Sequence, residues 1–114
     1  MDKPDIEYTV ERDDKLPIRF KGELLASVSS SPNRAMGNMY SGSTGRWQKL
    51  RLFKTKGGKY ICEHQELTQW QGDRDRIRAE VCESMEQVTE FFDHWWLAKE
   101  LYEEAGIDVS LYVD

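Results

Sequence analysis

Residues 46–70 read RWQKLRLFKTKGGKYICEHQELTQW, and this stretch decides the fold. Two runs of alternating character, 46–56 and 59–70, flank Gly57-Gly58. A glycine pair suits a two-residue hairpin turn, because both central residues there take positive φ. A two-residue loop also sets the register. Lys56 then faces Lys59, Thr55 faces Tyr60, Phe53 faces Cys62, Arg51 faces His64, Lys49 faces Glu66 and Trp47 faces Thr68. The Lys49–Glu66 match is a cross-strand pair of opposite charge, worth roughly a few tenths of a kcal/mol. Alternation puts Leu50, Leu52, Ile61 and Leu67 on one face and Trp47, Lys49, Arg51, Phe53, Tyr60, Cys62, His64 and Trp70 on the other.

Outward from the hairpin, Gln71-Gly72-Asp73 supplies the next turn, and Ile77, Ala79 and Val81 alternate with Arg76, Arg78 and Glu80 as a further strand. On the N-terminal side, Ile18, Phe20, Gly22, Leu24, Ala26 and Val28 occupy every second position of a long half-buried strand, with Gly22 the place for a bend. Residues 29–45, rich in Ser, Gly, Asn and Met without a periodic apolar face, read as a long loop. Residues 1–16 are polar and acidic, yet Ile6, Tyr8 and Val10 alternate with Glu7, Thr9 and Glu11 as a short edge strand would. After the sheet, Ser84-Met85-Glu86-Gln87 has the order of a capping box. Val88, Phe91, Phe92, Trp95, Ala98 and Tyr102 follow at spacings of three and four, and Gly106 is a natural left-handed cap. The spacing predicts one helix over 84–105, about 20 residues and roughly 30 Å long. Leu97 and Leu101 fall off its stripe, so either the 107–114 tail or another chain has to cover them.

The whole is a single α+β domain of two layers: a four- or five-stranded antiparallel meander with one long C-terminal amphipathic helix packed on one face. A chain of 114 residues fits one core. One helix covers one sheet face, so the other face is left to solvent or to a partner. If the aliphatic side of the hairpin is the floor for the helix, the leftover face is a mixture of rings and cations: Trp47, Lys49, Arg51, Phe53, Tyr60 and Trp70.

Charge separates along the chain in the same way. The net charge is −5 from 16 Lys+Arg and 21 Asp+Glu. No acidic residue lies between Glu23 and Glu63, where seven cations stand, whereas Glu83 to Asp114 holds nine acidic residues against Lys99 alone. A basic sheet and an acidic helix follow, and a mild net charge conceals a dipole.

The aromatic and cationic types on the leftover face are those favoured at interface hot spots, which points to a protein interaction module. Its partner is another protein or, given complementary basic and acidic faces, a second copy of the chain. The same face also suits single-stranded nucleic acid, with Trp47, Phe53, Tyr60 or Trp70 stacking on bases and Lys49, Arg51, Lys54 and Lys56 meeting phosphates. A third reading places a small ligand between the 29–45 loop and the sheet. Catalysis is not expected: on strand alternation only a Cys62–His64 dyad is geometrically available, and no pocket or oxyanion donor accompanies it. GNMYSGSTG (37–45) lacks the Lys-Ser/Thr pair of a phosphate-cradling loop. Cys62, His64 and Cys82 match no zinc spacing and lack a fourth ligand, so neither metal nor cofactor is expected, and the two thiols read as reduced core groups. No apolar run approaches the roughly 20 residues of a membrane span, and Met-Asp-Lys-Pro-Asp has no signal-like order, so the reading is cytoplasmic without membrane contact.

Overall fold

The fold is that of a computed structural model, which describes residues 6–30, 46–68 and 74–107. Five strands, β1 (Ile6–Val10), β2 (Ile18–Ser29), β3 (Arg46–Thr55), β4 (Tyr60–Thr68) and β5 (Arg76–Cys82), precede two helices, α1 (Met85–Phe92) and α2 (Trp96–Ala105). The strands form one antiparallel sheet in sequence order. The α+β meander expected from the sequence is therefore present. The strand bounds at 6–10, 18–29 and 76–82 follow the alternation read from the residues.

The hairpin register differs from the expected one by a single residue. Lys54 faces Tyr60, Phe53 faces Ile61, Leu52 faces Cys62, Arg51 faces Glu63 and Trp47 faces Leu67. The cause is the turn. Gly58 N donates to Thr55 O at 3.0 Å and Thr55 N to Lys59 O at 2.7 Å, so the loop holds three residues, Lys56-Gly57-Gly58. Of its two glycines only Gly58 takes positive φ, at 93°. This is the three-residue type in which a left-handed glycine closes the turn. Because side chains alternate with period two, a one-residue slip moves every β4 side chain to the opposite face. Lys49 accordingly faces Gln65, not Glu66. The cross-strand ion pair that this register makes is Arg51–Glu63.

The face that receives the helices carries Ala26, Val28, Leu50, Leu52, Cys62 and Cys82. These pack with Val88, Phe92, Leu97, Ala98, Leu101 and Tyr102 in one cluster, with Tyr60 against its margin. Leu50 and Leu52 are the helix floor, as expected. Ile61 is not: it joins Phe53, Val10 and Ala79 on the other side, with Tyr8, Ile18 and Phe20 around them.

That second cluster brings together β1 and β5, the two ends of the strand order. In a flat sheet they would stand about 19 Å apart, four strand spacings of nearly 5 Å. The sheet curls because β2 turns a corner. Its first part, Ile18 to Gly22, pairs with β1, its later part with β3, and Gly22 alone is shared. A Cβ on Gly22 would lie 2.1 Å from Lys54 O, so only glycine permits this approach. A bulge between Leu24 and Ala26 then reverses the side-chain alternation. Ile18 and Phe20 point to the second cluster, whereas Ala26 and Val28 point to the helices. The run of six residues expected on one face is thus divided between two. Past β1, Asp13 reaches the outer edge of β5: its N–H donates to Ile77 O at 3.1 Å, and its carboxylate accepts from Ile77 N at 3.0 Å.

The single long helix is not formed. Ser84 caps α1, accepting from Gln87 N, and the Gln87 side chain reaches back one residue past the cap, accepting from Glu83 N at 2.7 Å. Gly106, with φ 75°, ends α2 as expected. Between them Asp93, with φ 67° and ψ −155°, stops α1. Tyr102 donates its hydroxyl to Asp93 O at 2.7 Å, which ties the break to α2. The interruption rephases the second half, and Leu97 and Leu101 become fully buried alongside Ala98 and Tyr102. A helical stripe continued across the break could not bury all four. The two leucines lie in the cluster that both helices share, and the 107–114 tail adds to it at its first residue. Of that tail Ile107 packs against the core, and the rest lies outside the described residues.

Candidate binding site

The sheet face opposite the helices is partly roofed by β1 and the first part of β2. Phe53, expected on an open face, is fully buried there. Its ring lies 4.9 Å from Tyr8 and 5.2 Å from Phe20, centroid to centroid. The reason is the corner in β2, which folds two aromatic residues over it. Tyr60 is also removed from the face, because the register places it on the helix side. There Lys54 stands 5.9 Å over its ring. Trp70 lies outside the described residues, as do residues 31–45 of the long loop and the 71–73 turn.

Trp47, Lys49 and Arg51 do share the face, at alternate positions of β3, and all three are half-buried. Arg51 is committed. Its guanidinium clamps Glu63 through two hydrogen bonds, Nε to Oε1 and Nη2 to Oε2, the latter at 2.9 Å, and it also lies 5.1 Å over the Phe53 ring. Glu63 is only 2% exposed, so this carboxylate depends on Arg51 for its solvation.

A cleft of about 710 Å³ opens at the end of the sheet where β3 begins. Trp47 and Leu67 line it, together with Asp13 and Asp14 from the turn after β1, Glu66 on β4, Arg74 just before β5 and Arg76 at its start. Asp13, Asp14, Arg74 and Arg76 were not anticipated from the sequence. The aspartates stand 60 or more positions from the arginines in the chain, and all four border one cleft because the β2 corner carries the first turn to β5. A second hollow of about 490 Å³ continues along the β5 edge, between the same turn and Phe91 of α1, and shares Asp13, Asp14, Glu66 and Arg76 with the first.

His64 stands in this second hollow. Its Nε2 meets the Gln48 carbonyl oxygen, and Arg78 Nη2 donates to its Nδ1 at 2.9 Å, which defines the neutral Nε2–H tautomer. Burial holds its pKa below the ordinary value, and the Arg78 charge adds to this while Glu66 opposes it. The Trp95 ring lies 6.1 Å away. Cys62 shares the helix-covered face with it but partners Cys82, so the hydrogen bonds of His64 form no dyad with Cys62. Both thiols have raised pKa values, chiefly through burial. Among the described residues no group of three His, Cys, Asp or Glu is arranged to hold a metal ion. Among the described residues no helix is long and apolar enough to cross a membrane.

The cleft thus offers one aromatic ring, an aliphatic side chain and charges of both signs. It can accept a ligand that presents apolar surface beside both a cation and an anion. Comparison with protein-family models, curated proteins and solved structures found no match to this chain.

Proposed function

We propose that this chain is a non-catalytic, cytoplasmic interaction module that engages a polypeptide partner at the cleft beside Trp47. One observation carries the reading: a half-buried tryptophan borders a cleft lined both by carboxylates, Asp13, Asp14 and Glu66, and by the guanidiniums of Arg74 and Arg76. A polypeptide offers the matching mixture of apolar, basic and acidic groups. A nucleic acid offers a row of phosphates, which three carboxylates oppose. Among the described residues, the stacking row such a strand needs is also short of rings on this face, since Phe53 is covered and Tyr60 faces the helices. A small zwitterionic ligand is the second reading, favoured by the cleft's volume, which falls within the usual range of about 300–1,000 Å³.

The test is capture from a cytoplasmic extract on immobilised protein, with Trp47→Ala and Arg76→Glu as paired controls and a nuclease-treated arm. A protein retained by the wild type, lost with both variants and indifferent to nuclease supports the reading. Retention unchanged in both variants sinks it. Binding of a short single-stranded RNA that falls steeply with salt replaces it with the nucleic-acid reading. Scattering on the purified protein separates a second copy of the chain from a different partner.

A further inference from the structure

Cys62 and Cys82 are nucleophilic groups that the binding reading leaves unused. Their Sγ atoms are 3.5 Å apart and both thiols are free. The β4–β5 register places Tyr60 opposite Cys82 and Cys62 opposite Glu80, so the two cysteines lie diagonally on the helix-covered face. Val88 and Phe92 of α1 and Tyr102 of α2 belong to the cluster that encloses them. Cys62 is fully enclosed, and Cys82 retains 4% exposure. Cys82 is also two residues before Ser84, the cap of α1. Only eight residues long and broken from α2 at Asp93, α1 is too short to persist as a helix away from the sheet.

We propose that Cys62 and Cys82 close to a reversible intramolecular disulfide, with a low-molecular-weight disulfide as oxidant, each time α1 lifts from β4 and β5. The thiolate of Cys82, the less enclosed sulfur, attacks one sulfur of the oxidant. An S–S bond forms between them and one small thiolate leaves. Cys62 then attacks the Cys82 sulfur, the mixed disulfide breaks, and the second small thiolate leaves. The protons lost by the two cysteines end on the two leaving thiolates, so two protein thiols are oxidised and one small disulfide is reduced to two thiols. The protein sulfurs travel from 3.5 Å to about 2.05 Å. Burial keeps both groups protonated while α1 is seated, which makes its opening the gate.

The experiment incubates the folded, full-length chain with oxidised glutathione and follows intact mass. The expected product is a monomer lighter by two hydrogens that carries no adduct and is restored by dithiothreitol. Cys62→Ala should stop at a glutathione adduct on Cys82, and Cys82→Ala should stay unmodified. Ser84→Ala, which removes the α1 cap, should speed closure about fivefold. A lasting adduct on the wild type, a disulfide-linked dimer, or two thiols still free while an unfolded control is oxidised would each overturn the proposal. So would a closure rate unaffected by Ser84→Ala, or an adduct on Cys62 in the Cys82→Ala variant.

Discussion

Glu63 and Arg51 show how one pair of residues settles a register. A carboxylate 2% exposed is tolerated only when its charge is matched, and here a bidentate guanidinium matches it. Truncation of Glu63 to Ala should cost about 3 kcal/mol in urea unfolding, because Arg51 is left without its counter-charge. Replacing both by apolar residues of similar volume should cost far less, and an equal loss in the double variant would refute the pairing argument. His64 makes a second residue-scale prediction. Its folded pKa is lowered, so the unfolded chain binds the proton more readily, and the neutral ring's contribution is complete above the unfolded pKa of about 6.5. That contribution is lost as pH falls below this value. The groups facing the ring are Arg78, which opposes protonation, and Glu66, which favours it. Denaturation midpoints at pH 8 and pH 5.5 should therefore differ more for the wild type than for His64→Gln. Both residues were visible in the sequence, where His64 stood opposite Arg51 in the expected pairing. The opposite-charge match available one residue away, Arg51 with Glu63, was the signal that could have corrected it.

The elements were legible where capping and alternation are local, and misread where one backbone angle or one inserted residue changed their phase. Ser84 and Gly106 act as their types predict, because caps involve neighbours within one turn. The hairpin was misread because Gly-Gly is compatible with two loop lengths, and the three-residue loop needs positive φ only at Gly58. Substitution separates the two turns. Gly57→Ala meets nothing nearer than Thr55 Oγ1 at 3.9 Å and should change stability little. Gly58→Ala forces a Cβ into the left-handed region and should cost about 1–2 kcal/mol in thermal or urea unfolding. Equal effects at the two glycines would restore the two-residue turn. The helix was misread for a related reason. A three-residue interruption at Asp93-His94-Trp95 leaves the three- and four-residue spacing of aromatic residues intact, while turning α2 enough to bury Leu97 and Leu101. The β2 bulge worked likewise, dividing one alternating run between two faces.

At the scale of the whole molecule, the described helical layer from Glu83 to Ile107 carries seven acidic residues and one lysine. Trp96, 58% exposed, projects from this layer. A cationic quencher should therefore reach it better than an anionic one. At low salt, caesium should quench the Trp96 emission, taken as the difference between the wild type and Trp96→Phe, more strongly than iodide, and the gap should narrow at high ionic strength. Equal quenching would show that the charges along the sequence do not segregate in space. What the sequence determined by itself was the set of strands, the α+β class, the caps at Ser84 and Gly106, the charge asymmetry and the presence of Trp47, Lys49 and Arg51 on one face. All of these follow from interactions between residues close in the chain or from period-two alternation within one strand. The tertiary structure alone decided that Phe53 is covered, that Tyr60 joins the helix side, and that Asp13 and Asp14 border one cleft with Arg74 and Arg76. Those outcomes depend on the corner at Gly22 and on the slip of one residue at the hairpin. Each is a small local change in the backbone, and it is carried to distant side chains by the rigid pairing of the sheet.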